Sequence, residues 1–276
     1  MIIDTHQHFW KYDPARDAWI DDSMKRLQKD FLPKDLKPIL DINGVEGCVT
    51  VQAHQSENEN DFLLECARQS PFVKGVVGWV DLCAENCKER LEYFSRNKVF
   101  KGVRHIVQAE KEGFMMQKKF QNGISQLAQY GLVYDILIHP KQIKEAIRLV
   151  REFPDQGFVI DHLAKPLIRT QEIDTWKNDI TALATLPNVY CKLSGMVTEA
   201  DMKSWNTTDF EPYMKVVLSA FGPERILYGS DWPVCLLAAE YEEVLEIVRT
   251  YIEELSEDEQ KAIFSGNAIK LYNLHV

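Results

Sequence analysis

Phe72-Val73-Lys74-Gly75-Val76-Val77-Gly78-Trp79-Val80-Asp81 is a valine-rich apolar run, and the Glu85 to Asn97 stretch behind it has helical spacing. An apolar run of that length suits a strand buried on both faces of a parallel sheet, with the following helix as its cover. The same pairing recurs along the chain. Strand-like runs lie at Met1 to Phe9, Val45 to Ala53, Phe100 to Val107, Leu132 to His139, Phe158 to His162, Val189 to Leu193 and Arg225 to Gly229, which makes eight in all. Helical stretches fall at Asn58 to Gln69, Gln117 to Tyr130, Lys141 to Phe153, Ile173 to Leu186, Asp209 to Phe221 and Glu240 to Leu255. Within them apolar residues recur three and four apart, as Ile143, Ile147 and Val150 do. Eight strand-helix units with no Pro/Gly/Ser-rich linker predict an α/β protein, a single (β/α)8 TIM barrel formed by one domain over residues 1–276. An open nucleotide-binding sheet lacks its markers, since no Gly-x-Gly-x-x-Gly turn and no Gly-x-x-x-x-Gly-Lys-Ser/Thr loop occurs. The long irregular section from Trp10 to Pro33, rich in aromatics, is expected to wall the active-site face.

Composition narrows the partners. Forty-two acidic against 32 basic residues give a net charge of −10, with no Lys/Arg cluster to offset it. Such a surface repels phosphate backbones and anionic lipid, so neither nucleic acid nor membrane is expected as a partner. The first residues lack a basic start and an apolar signal stretch, and the six cysteines form no Cys-x-x-Cys pair. Both features point to a cytoplasmic protein with reduced thiols. The chain is compatible with a homo-oligomer, which its sequence alone does not specify.

Ionisable residues gather where the strands end, the face on which barrel enzymes hold their sites. The first strand ends Asp4-Thr5-His6-Gln7-His8. Side chains two apart on a strand share a side, so His6 and His8 should project together into the barrel mouth, in a metal-ligand arrangement or as hydrogen-bonded loop supports. The sixth strand leads into Asp161-His162 and the eighth into Ser230-Asp231-Trp232-Pro233. Three histidines and an aspartate then face one cavity, a set suited to a divalent metal or to general-base chemistry. Arg104 ends the fourth strand with a planar donor fork for a carboxylate or sugar hydroxyls. His54 and Gln52 after the second strand, Trp79 at the third, Trp19 in the long loop and Trp232 beside Asp231 are further candidates for the cavity wall. Asp81 and Asp161 could orient ligand imidazoles.

Taken in order, these motifs resemble the amidohydrolase superfamily, and within it the amidohydrolase-2 branch that contains sugar-lactone and pyrone-dicarboxylate lactonases. Asp4-Thr5-His6-Gln7-His8, Gly102-Val103-Arg104-His105, Asp161-His162-Leu163-Ala164-Lys165-Pro166, Lys192-Leu193-Ser194-Gly195, Tyr228-Gly229-Ser230-Asp231-Trp232-Pro233 and Gly266-Asn267-Ala268 carry the likeness. The resemblance implies His6, His8, His162 and Asp231 as metal ligands, with Asp231 taking a proton from the attacking water. The chain departs from the two-metal pattern, because Arg104 and its neighbours stand where a bridging lysine would be. One divalent metal, zinc first among the candidates, or none at all is expected. The implied reaction is hydrolysis of a sugar lactone, a 1,4- or 1,5-aldonolactone of the L-fucono or L-rhamnono type. A metal-dependent decarboxylase of the same branch is the alternative, and a ligand-binding barrel without catalysis a more distant one.

Overall fold

A computed structural model describes residues 1–276. Eight strands pair in parallel in the order of the chain: β1 (Ile3–Gln7), β2 (Gly47–Val51), β3 (Val73–Gly78), β4 (Phe100–His105), β5 (Val133–Ile136), β6 (Phe158–Ile160), β7 (Val189–Leu193) and β8 (Ile226–Tyr228). Each falls inside a run expected from sequence. Closure of the barrel takes place beyond the end of β8. There Gln7 bridges Trp232, the Asp231 N–H donates to the His6 carbonyl at 2.7 Å, and the His8 N–H donates to the Trp232 carbonyl at 2.7 Å. The seam thus runs through the candidate site itself.

Helices lie between strands as the periodicity requires, for example Glu57–Gln69 after β2 and Ile143–Glu152 after β5. Sequence periodicity did not bring out Pro33–Ile42 at the end of the long first connection, or Asn267–Tyr272 near the C-terminus. The first connection is tied back on itself by paired backbone hydrogen bonds of 2.9 Å between Trp10 and Phe31. Trp10 then meets Trp19 and Phe31 edge-on, at centroid separations of 6.0 and 5.4 Å, which makes an aromatic wall beside the mouth. No helix is long and apolar enough to cross a membrane.

The barrel interior is layered. Val49, Val77, Val133, Val159, Tyr190 and Leu227 point inward and pack on Tyr272 and Leu274 of the C-terminal tail. The tail covers the amino ends of the strands, where Lys101 donates to the Asn273 carbonyl at 2.7 Å. Two residues further on, in β5, just past the end of β6 and in β7, the buried positions hold Asp135, Asp161 and Lys192. The period of two along a strand therefore sets a charged layer directly above an apolar one. Larger apolar contacts fill the space between strands and outer helices.

Candidate active site

His6 and His8 leave β1 on the same side, and His162 and Asp231 reach them from the two loops that follow β6 and β8. β6 ends at Ile160, short of the expected His162, because His162, Leu163, Ala164 and Lys165 all adopt left-handed backbone, with φ of 53°, 54°, 59° and 52°. Such a run is strained for non-glycine residues, and here it turns the His162 ring back over the barrel mouth. Asp231 has φ of 59° for the same purpose on the opposite side. Two glycines permit the crowding. A Cβ at Gly195 would lie 2.5 Å from His162 Nδ1, and one at Gly229 would lie 2.6 Å from His6 Cβ.

The Asp231 Oδ1 atom is the meeting point. It lies 3.3 Å from His8 Nε2, 3.8 Å from His6 Nε2 and 3.9 Å from His162 Nε2. The other ring nitrogens are held from behind. His8 Nδ1 is 2.7 Å from the Val51 carbonyl, which can only accept, so that nitrogen carries the proton and Nε2 presents a lone pair. Arg104 Nη1 stands 3.2 Å from His6 Nε2 and can only donate, so the His6 proton sits on Nδ1, facing Asp161 Oδ1 at 3.2 Å. His162 Nδ1 meets the Ser194 hydroxyl at 2.9 Å. Burial pushes His6 and His162 well below the ordinary imidazole range, so both rings are neutral. Burial alone would raise the Asp231 carboxyl, but the neighbouring His162 and His8 hold it below the usual carboxylate value. A buried, ionised carboxylate beside the neutral rings of His6 and His162 results.

This donor set fits a metal ion. With bonds of about 2.0–2.1 Å, ligand atoms of a tetrahedral zinc lie roughly 3.3 Å apart, within about half an ångström of the separations above. His6, His8 and Asp231 offer donor atoms close enough to share one cation, and a second group, His6, Asp161 and His162, overlaps it.

Beneath the histidines runs a charged layer in which Lys192 was not anticipated as a site residue. Its Nζ lies 2.5 Å from Asp135 Oδ2, 3.0 Å from Asp161 Oδ1 and 3.3 Å from His6 Nδ1, fully buried. Arg104 contributes the second cation, 3.1 Å from Asp161 Oδ2, and also donates to the Gln52 carbonyl and, at 3.2 Å, to its side-chain oxygen. Two carboxylates and two cations thus balance. Burial would raise Asp161, yet Lys192, His6 and Arg104 hold it well below the usual value. Asp4 was overlooked as well. It accepts from the Ser230 N–H (2.9 Å), the Ser230 hydroxyl (2.6 Å) and Tyr241 (3.1 Å), anchoring the residue next to Asp231. Alternation along β5 to β7 was the available signal for Lys192. No local pattern marks Asp4: it accepts from the His6 N–H at 3.1 Å, but Ser230 and Tyr241 lie more than 200 positions away.

Above the cluster lies a cavity of about 390 Å³. His8, His162, Asp231, Arg104 and Lys165 line its polar side; Trp19, Ile106, Leu137 and Val234 contribute apolar wall. His6 is sealed below it. Several sequence-based assignments need correction. Trp79 lines no part of the cavity, because its indole N–H points to His105 at 3.3 Å while Asn60 holds its backbone. Trp232 is buried in the core against Phe9 and Phe31, at 6.3 and 5.2 Å between centroids, so its place beside Asp231 in the chain does not bring its ring to substrate. His54 faces an adjoining cavity instead. Arg104 does reach the cavity, but most of its fork is spent on His6, Asp161 and Gln52. Asp161 stands behind an imidazole as expected, whereas Asp81 accepts from the Cys83 N–H at 2.9 Å in a loop.

Residues 3–274 match the amidohydrolase family. The chain belongs to that family. Among its relatives, an L-fucono-1,5-lactonase of Burkholderia multivorans is 37% identical, the match covering 99% of this chain and 96% of that protein. An L-fucono-1,5-lactonase of Burkholderia ambifaria is 32% identical over 99% and 95%. A crystal structure of a Burkholderia multivorans amidohydrolase with bound zinc superposes with a TM-score of 0.96 at 37% identity, covering both chains fully. This amidohydrolase therefore shares its barrel with a protein that binds zinc, and its own donor set accommodates such an ion.

Proposed function

We propose that this amidohydrolase opens a sugar lactone, a 1,4- or 1,5-aldonolactone of the L-fucono or L-rhamnono type, with Asp231 as general base. The observation that carries the reading is the Asp231 carboxylate, kept ionised at the cavity floor beside the neutral rings of His6 and His162. It takes a proton from water, whose oxygen bonds to the lactone carbonyl carbon. The ring C–O bond then breaks as Asp231 returns the proton to the departing oxygen, leaving an aldonic acid. Identity of 37% and 32% to two L-fucono-1,5-lactonases over nearly the full chain supports this substrate class; the decarboxylase alternative has no support of that kind.

His6, His8, His162 and Asp231 would hold one divalent ion, with zinc the first candidate, and such an ion supplies Lewis-acid polarisation of the carbonyl when bound. The histidines have a positioning role of their own. Because His6 and His8 carry their protons on Nδ1, their Nε2 atoms cannot donate to an oxyanion. Cationic donors at the cavity are Arg104 and Lys165, and we assign to them the hydrogen bonds to carbonyl and hydroxyl oxygens. Trp19 supplies an apolar face for the sugar ring.

Acid release from a panel of aldonolactones, followed with a pH indicator with and without chelator, tests the assignment. Asp231→Asn should lower turnover by about 10²–10⁴-fold with the fold intact by circular dichroism. Near-wild-type turnover in that variant would remove Asp231 as the base, and no activity across the panel would remove the lactonase reading.

A further inference from the structure

Beside the reaction cavity lies a second one of about 360 Å³, and the two share Trp10, Trp19 and Ala53 as a common wall. Each is within the range of about 300–1,000 Å³ that holds small ligands, so a lactone in the first leaves the second as surplus space. Trp19 forms the partition with Trp10 and is 43% exposed on the long first connection.

Polar groups around the second cavity divide into two sets. Arg16 and Asp17 satisfy each other, at 2.7 and 2.6 Å, and the two oxygens of Glu59 accept the Ala53 and His54 N–H groups at 2.8 and 2.6 Å. The imidazole of His54, the amide of Asn58 and the ammonium of Lys11 make no hydrogen bond within the protein, although all three line the cavity. Lys11 stands 6.0 Å from the Phe62 ring centroid. Unengaged donors and acceptors set among indole and phenyl faces suit a neutral polyhydroxylated group: its C–H faces rest on the rings and its hydroxyls reach the polar side chains. An apolar occupant would satisfy none of those side chains. A strong anion would find Arg16 already committed to Asp17, leaving Lys11 as the one cation free to meet it.

We infer that the second cavity is a subsite for a glycosyl substituent, and that the enzyme accepts glycosylated aldonolactones with the lactone ring at Asp231 and the attached sugar beyond Trp19. The inference rests on the lactonase reading for the chemistry at the ring. The glycosidic bond is untouched, and only the lactone C–O bond breaks.

Binding of product acids separates the two readings, because it needs no turnover. Calorimetry on the wild-type enzyme compares 4-O- and 6-O-glycosylated hexonic acids, such as lactobionate and melibionate, with the parent hexonate. At least one should bind about tenfold more tightly than its parent. The Lys11→Met/Asn58→Leu double variant should erase most of that advantage. If no glycosylated acid binds more tightly than its parent, undetectable binding of both included, the subsite is refuted. An advantage that survives the double variant refutes it too. Initial rates on the corresponding lactones judge the lactonase reading independently. Inactivity on every lactone, with the binding advantage present, leaves the subsite standing and removes the reaction.

Discussion

Individual side chains owe their roles here to what stands behind them. Val51 and Arg104 fix which nitrogen of His8 and His6 bears the proton, and Asp4 fixes the Ser230 backbone from which Asp231 projects. Gly195 is the sharpest case. Its φ is +62° and a Cβ would press on His162 Nδ1 at 2.5 Å, where the Ser194 hydroxyl also bonds. Gly195→Ala should therefore lose about 1–3 kcal/mol of stability and most of the turnover together. Gly131 provides the control, with φ of +65° and nothing within 4 Å of its Cβ. Gly131→Ala should show the backbone part of the stability loss in a denaturant titration while kcat stays unchanged.

Among the elements, the last helix and its tail do more than close the chain. Asn267–Tyr272 carries Tyr272 into the foot of the barrel, where its hydroxyl donates to the Asp135 carboxylate at 2.9 Å. Asp135 meets Lys192, and Lys192 reaches His6, so the tail touches the site through three buried contacts. Tyr272→Phe leaves a buried carboxylate one hydrogen bond short. It should cost about 1–3 kcal/mol in chemical denaturation, with the apolar packing of the ring preserved. The helix eluded sequence periodicity because it is six residues long, too short for a repeating apolar face, and because its contacts are with strand starts spread over the chain. The run His162 to Lys165 was equally hidden. None of the four residues favours its left-handed backbone locally; tertiary contacts hold the run, His162 on Ser194, the Leu163 carbonyl on Trp176 and Lys165 on Glu199.

Over the whole molecule, buried acids shape the response to pH. Burial lifts Glu59 to about 7 and Asp4 to about 6, against hydrogen bonds and, for Glu59, against Arg104 and Arg16. For Glu59 the folded chain holds its proton across the interval from its ordinary value of 4.5 to about 7, whereas the unfolded chain releases it. Stability from this group is complete below that interval and falls as pH rises through it. Neutral His6 and His162 act in the opposite direction, since the unfolded chain protonates them as pH falls below the ordinary imidazole value of 6.5. Glu59→Gln isolates its share. Melting temperature against pH should decline less steeply between about 4.5 and 7 in the variant than in the wild type. An unchanged slope would show that Glu59 ionises normally in the folded chain. Much of this molecule could be read before its structure. All eight strands, most outer helices and the His6, His8, His162 and Asp231 cluster follow from apolar period and from ionisable residues at strand ends, because both are local consequences of burying a strand on two faces. The roles of Lys192, Asp4 and Tyr272, the core burial of Trp232 and the second cavity behind Trp19 do not follow from local pattern. Each depends on residues far apart in the chain that meet only when the barrel closes, and closure, by fixing distance and burial together, determines which charges pair and which ring faces a ligand.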